Sequence, residues 1–141
     1  MMRMESLVGV LLVLQLAAFG WRINREIPVG DEGRRTWLPI PDYVNLLSFL
    51  LAVALCVVRP LVADDFDRVS KTMLGIGYIL MGLHPINVAN HYRLLFSRRG
   101  RSIYLNGPRG DYPLVTDHEA LSLIVSAIVT ALGGWCVYNA R

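Results

Sequence analysis

The feature that most constrains the fold is the grouping of apolar residues into four blocks, at 6–21, 43–62, 72–92 and 120–138. A helix that crosses the hydrocarbon core of a bilayer needs about 20 residues, and all four blocks approach that length. Only 18% of the residues are charged, whereas soluble domains carry about a quarter. The mean hydropathy is +0.43. We therefore predict an all-α membrane protein, a single domain over 1–141 with four transmembrane helices in a bundle, at about 5–21, 43–62, 72–96 and 117–138.

The first block has an alternative interpretation as a secretory signal. Arg3 precedes its apolar core, and Ala18-Phe19-Gly20 supplies a small-x-small pattern. We favour a retained helix, because the block reaches spanning length once its interfacial residues are counted.

The two long connections, 22–42 and 97–116, share a pattern that is typical of β-hairpins. Each has an extended, β-prone run, a Gly-rich turn and a second extended run, as in INREIPV-GDEG and RSIYL-NGPRG. We expect the two hairpins to form a small cap on the bundle, and this cap to be a docking surface for another subunit.

The distribution of basic residues predicts the orientation. Nine of the 14 Lys and Arg residues lie in the two long connections or, in the case of Arg93, just before the second one. The positive-inside rule places these connections in the cytoplasm. Both termini would then lie outside, in a bacterial inner membrane. Arg98, Arg99 and Arg101 follow the third helix and are interpreted as a lipid anchor, or alternatively as a partner or phosphate site. The expected partners are the bilayer and a second copy or another subunit, and nucleic acid is not expected.

The third predicted helix carries four polar residues on one side. His84, Asn87, Asn90 and His91 share an arc of about 120° when each residue turns the helix by about 100°. Unpartnered polar groups in hydrocarbon cost several kcal/mol, so this polar stripe must face protein or a water-filled cavity. Three interpretations stay open: hydrogen bonding between helices, an ion or proton pathway, and a ligand site.

The ligand-site interpretation has a metal version. His91 and His118 are both expected near the inner membrane boundary, where Asp117 or Glu119 adds an oxygen ligand for a zinc-like ion. A redox or enzyme subunit that holds a metal or a quinone-like ligand with His84, His91 and His118 is therefore the alternative function. The sequence points to no particular cofactor.

The fourth predicted helix has a clear start and a regular face of small residues. Thr116 and Glu119 form a capping box, T-x-x-E. A ladder of small residues at intervals of four predicts close approach by another helix, within the monomer or across a subunit interface. The ladder consists of Ser122, Ser126, Thr130 and Gly134.

The short connection before the third helix is acidic. Asp64, Asp65 and Asp67 are interpreted as solvated loop charges that also cap that helix. Taken together, these patterns predict a non-enzymatic integral membrane protein that is a homo-oligomer or a small subunit of a membrane assembly. A more specific version of this functional prediction adds an ion or proton pathway along the third helix.

Overall fold

The structure is a computed structural model that describes residues 4–32, 38–92, 102–105 and 112–140. Over these residues it has four helices long and apolar enough to cross a membrane, at Met4–Pro28, Ile40–Ala63, Arg68–His91 and Asp117–Asn139. The prediction of a multi-pass membrane protein with four spans is confirmed at this level.

The first helix is longer than the sequence predicts. Helix α1 runs from Met4 to Asp31, so the predicted hairpin over 22–42 is wrong for its first half. The Arg22 side chain bonds Glu26 one turn further along and Asp42 on the next helix. Such contacts favour continued helix over the β preference of the nearby Ile and Val residues. Residues 33–37 lie outside the described part.

The second span consists of three consecutive helical pieces. Helix α2 covers Ile40–Ala52, a π-helical turn covers Val53–Val58, and helix α3 covers Arg59–Ala63. Pro60 cannot donate a backbone hydrogen bond and crowds the preceding turn. A π turn is wider than an α turn, and one of its carbonyls, that of Leu55, accepts a hydrogen bond from the Ser70 hydroxyl at 2.6 Å. Because the wider turn leaves room for the proline ring, the span continues through Pro60 to Ala63.

The third span is helix α4, Arg68–His91. Asp67 caps its start, because its carboxylate accepts a hydrogen bond from the Ser70 N–H at 2.9 Å. That bond, and next the Arg59 guanidinium, hold the pKa of Asp67 below its usual value. The cap predicted from the acidic connection is thus formed by Asp67. The helix ends at His91, whereas the predicted end at 96 lies outside the described residues.

The second long connection contains two short strands, β1 (Ser102–Leu105) and β2 (Tyr112–Thr116), which pair antiparallel with an irregularity after Ile103. The predicted cap built from two hairpins is not supported, because the described part of the first connection is helical and contributes no strand. Helix α5, Asp117–Asn139, follows β2 directly. Its capping box forms as predicted, with Glu119 N–H donating to the Thr116 hydroxyl at 3.0 Å.

The helices are not packed equally. α1, the second span and α4 pack against one another around a small apolar core, whereas α5 packs mainly on α4. Gly77 of α4 faces Leu11 of α1 so closely that a Cβ there would lie 2.5 Å from a Leu11 methyl carbon. The core side chains are Val8, Leu11, Ala52, Cys56, Met73 and Leu74.

Candidate functional site

A network of buried polar side chains lies where the C-terminal half of α1, the start of α2, the end of α4 and the start of α5 meet. We call this region the polar end. Its charged members Arg22, Asp42 and Glu119 are each at most 1% exposed. Charges buried to this degree persist only when they are paired.

The centre of the polar end is a carboxylate shared by two helices. Asp42 at the start of α2 accepts a hydrogen bond from Arg22 Nε of α1, with 2.7 Å between Nε and Oδ2. Its other oxygen lies 3.4 Å from Nε2 of His84 on α4. One side chain therefore joins three membrane spans.

The same arginine also reaches the end of α4. Arg22 donates to the Tyr92 hydroxyl, as does Arg25, and the Arg25 guanidinium lies 4.3 Å from the centre of the Tyr92 ring. Tyr92 thus combines hydrogen-bond acceptance with a cation–π contact. These contacts fix the part of α1 that the sequence assigned to a loop.

A second buried contact, between a histidine and a carboxylate, connects α4 to α5. Nδ1 of His91 lies 2.8 Å from Oε2 of Glu119, and the Thr116 hydroxyl donates to the Asn90 carbonyl at 3.1 Å. The remaining Glu119 oxygen, Oε1, is buried without a hydrogen-bond partner among the described residues. Glu119 therefore takes part both in the capping box with Thr116 and in the contact with His91.

Further into the membrane, amide and hydroxyl groups continue the network. Asn87 and Ser126 exchange two hydrogen bonds between α4 and α5, at 3.0 and 3.2 Å. Between α1 and α2, Gln15 donates to the Ser48 hydroxyl at 3.0 Å, and Asn45 donates to the Gln15 carbonyl at 3.2 Å. Each pair of neighbouring spans is thus joined by at least one polar contact.

The four residues of the predicted stripe, His84, Asn87, Asn90 and His91, are all buried. The ladder on α5 is divided: Ser126 and Gly134 are buried, whereas the Ser122 hydroxyl donates to the Glu119 carbonyl of its own helix. Thr130 lines a groove between α2 and α5.

The predicted metal set is not brought together. Over the described residues, no group of three His, Cys, Asp or Glu side chains is placed to hold a metal ion. His91 faces Glu119, and Asp117 is exposed. The basic cluster Arg98, Arg99 and Arg101 lies outside the described residues.

The sequence did not indicate Arg22 and Asp42 as network members, because both were assigned to the first long connection. Glu119 was interpreted as part of a capping box and as a candidate oxygen ligand near His91, not as a hydrogen-bond partner between helices. A signal was present, because Gln15 and Arg22 are seven residues apart and so share one face of a helix that continues past Trp21. Recognising that signal required knowing that the helix continues.

A lateral groove between α2 and α5 adjoins the polar end. It has a volume of about 750 Å³, and α4 forms its floor with Ile76, Leu80, His84 and Asn87. Its walls are mostly apolar and come from the facing sides of α2 and α5.

Comparison with protein-family models, with curated proteins and with solved structures gives no match.

Proposed function

We propose that the protein is a non-enzymatic integral membrane protein, a homo-oligomer or a small subunit of a larger membrane assembly, in which the polar stripe of α4 holds the helices together. The observation that carries this proposal is the bridge from Arg22 through Asp42 to His84, which joins α1, α2 and α4. A fixed helix arrangement is what an assembly subunit must present to its neighbours.

The contacts of the stripe favour this structural role. His91 faces Glu119, and Asn87 is bonded to Ser126. Each group meets its partner on a different span, and hydrogen bonds between membrane helices contribute about 0.6–2 kcal/mol each. Side chains engaged in this way are less available to exchange partners with a passing ion.

An ion or proton pathway along α4 is the second candidate. It is favoured by His84 and Asn87, which line the groove, and by Asn90 Oδ1 and Glu119 Oε1, which have no hydrogen-bond partner among the described residues. Ionisable groups inside a membrane often mark proton relays. Vesicles that contain the purified wild-type protein test this candidate: flux above that of empty vesicles, reduced by Glu119→Gln, would support it.

The assembly part is tested by native mass spectrometry after gentle extraction from the membrane. A mass at a multiple of 15.8 kDa supports a homo-oligomer, and additional mass from another polypeptide supports a subunit. A monomer alone, from membranes in which the protein has its native abundance, would contradict the proposal.

For localisation, we propose a bacterial inner membrane with the polar end on the cytoplasmic side and both termini outside. Supporting this, nine of the 14 basic residues lie within 22–42 or 93–116 of the sequence, and basic loops are retained in the cytoplasm.

A further inference from the structure

The groove between α2 and α5 has the features of a small-molecule site. Its volume of about 750 Å³ lies within the range of roughly 300–1,000 Å³ that ligand pockets occupy, and such pockets are mostly apolar with a few polar groups. The lining runs along α4 from Thr72 to Asn87, which is about 22 Å at 1.5 Å per residue. This length suits an extended chain lying parallel to the helices.

The polar residues of the lining are unevenly placed. His84, Asn87, Asn45 and Ser126 are each more than nine-tenths buried and lie toward the polar end of the groove. Thr130, about one turn from Ser126, has a buried hydroxyl oxygen without a partner among the described residues. Toward the opposite end the lining is formed by apolar and aromatic side chains such as Ile76, together with Thr72.

The charge of the lining restricts the head of the ligand. The described residues that line the groove include no Asp, Glu, Lys or Arg. The nearby charges of Arg22 and Asp42 are already paired with each other. A phosphate or carboxylate head would therefore be desolvated without a partner, at a cost of several kcal/mol.

We propose that this groove binds a neutral amphiphile with a long hydrocarbon chain and a carbonyl-bearing head, and that the head accepts a hydrogen bond from the Thr130 hydroxyl, near His84 and Asn87. A prenyl quinone and an acylglycerol share this chemistry. A helix of a second copy is the alternative occupant, and the experiment below distinguishes it from a small molecule. All the residues that line the proposed site belong to one chain.

Fluorescence of Trp135, which lines the groove, tests this proposal. In a Trp21→Phe, Trp37→Phe background, a benzoquinone with a ten-carbon alkyl chain is titrated into the detergent-solubilised protein. We expect saturable quenching of Trp135. Displacement by 1-monooleoylglycerol then shows whether the quinone or the acylglycerol binds more tightly. Phosphatidylglycerol is not expected to displace the quinone.

Two matched substitutions on α5 locate the site. Ala131 lines the groove and is exposed there, so Ala131→Phe fills the groove without disturbing a packed contact and should weaken binding at least tenfold. Ile128 is 55% exposed on the same helix and is not among the groove residues, so Ile128→Phe should bind within twofold of the parent. Thr130→Val, nearly equal in size, should weaken binding severalfold by removing a polar contact to the head.

Three results would overturn the proposal. One is quenching that does not saturate, or that is equal in the two Phe variants, which indicates partition into the micelle. Another is stronger displacement by phosphatidylglycerol than by the neutral amphiphile. The last is a protein dimer that Ala131→Phe dissociates while the quinone binds to neither form, since a second copy would then occupy the groove.

Discussion

At the scale of single residues, the arrangement depends on one carboxylate. Asp42 is 1% exposed and is the partner of both Arg22 and His84. A buried ion pair contributes little net stability compared with an apolar pair of the same shape, but breaking it by removing one partner is costly. The largest effect of removing Asp42 is therefore expected from the Arg22 charge, which would remain buried without its partner.

Replacing Asp42 tests this asymmetry. Asp42→Ala leaves the Arg22 guanidinium buried without its carboxylate and is expected to reduce the free energy of unfolding by about 3–5 kcal/mol. The measurement is unfolding in mixed micelles of mild detergent and sodium dodecyl sulfate, followed by circular dichroism.

The control for this variant removes both charges. The double variant Arg22→Met, Asp42→Leu should recover most of the lost stability, because no unpaired charge remains. If Asp42→Ala cost less than 1 kcal/mol, or if the double variant were less stable than the single one, the shared carboxylate would not be the centre of the network.

Two serines on α5 make a matched pair for the interhelical hydrogen bonds. Ser126 bonds Asn87 on α4, whereas the Ser122 hydroxyl bonds a carbonyl of its own helix. Ser126→Ala should reduce the free energy of unfolding by about 0.6–1.7 kcal/mol, and Ser122→Ala should change it by a few tenths. Equal effects measured in the same micelles would contradict the assignment of Ser126 as the interhelical contact.

At the scale of elements, close packing of α1 on α4 depends on Gly77. A Cβ at this position would lie 2.5 Å from Leu11, which is fully buried and so has little room to move. Gly77→Ala is expected to reduce the free energy of unfolding by about 1–3 kcal/mol through overpacking.

Gly82 on the same helix is the matched control. Nothing lies within 4 Å of a Cβ placed there, so Gly82→Ala should be neutral or stabilising through its better helix propensity. If Gly77→Ala were tolerated as well as Gly82→Ala in thermal unfolding, the proximity of α1 and α4 would be in error.

The start of α4 should respond to acid. The Ser70 N–H and the Arg59 guanidinium lower the pKa of Asp67 in the folded protein. Its contribution to stability is therefore present above the ordinary pKa of 3.8 and is lost as the pH falls through the lower, folded value. Asp67→Asn keeps a capping oxygen but removes the charge, so this variant should lose less stability than the parent between pH 5 and about pH 3. A parallel decline for both proteins would assign the acid response to other groups.

The elements also show how far the sequence alone could lead. The length and composition of the apolar blocks were sufficient to predict four spans. The T-x-x-E motif was sufficient to predict that α5 begins at Asp117. The end of α1 was not predictable from its own residues, because INREIPV is β-prone and its helical state depends on contacts with Asp42 and Tyr92. The stripe on α4 was visible as a periodicity, whereas its partners depended on which helices pack together.

At the scale of the whole molecule, four helices of spanning length lead us to expect both termini on the same side of the membrane. The two connections that flank α4 are then expected on opposite sides. In a Cys136→Ala background, where the remaining Cys56 is buried, single cysteines at Asp65 and Gly107 should therefore react differently with an impermeant maleimide. With the proposed orientation, intact cells label Asp65→Cys and protect Gly107→Cys. The reverse result would invert the topology, and labelling of both would contradict α4 as a membrane span.

The packing of α5 mainly on α4 also bears on biogenesis. The chain emerges from the ribosome in order, so α1, the second span and α4 enter the bilayer before α5 does. The bridge from Arg22 through Asp42 to His84 lies entirely within those three spans and can therefore close while α5 is still being synthesised. We therefore expect α5 to dock last, with Ser126 and Glu119 as the partners of Asn87 and His91. Until then these two polar side chains of α4 lack the partners that they have in the folded protein, and a membrane chaperone could bind α4 in that interval.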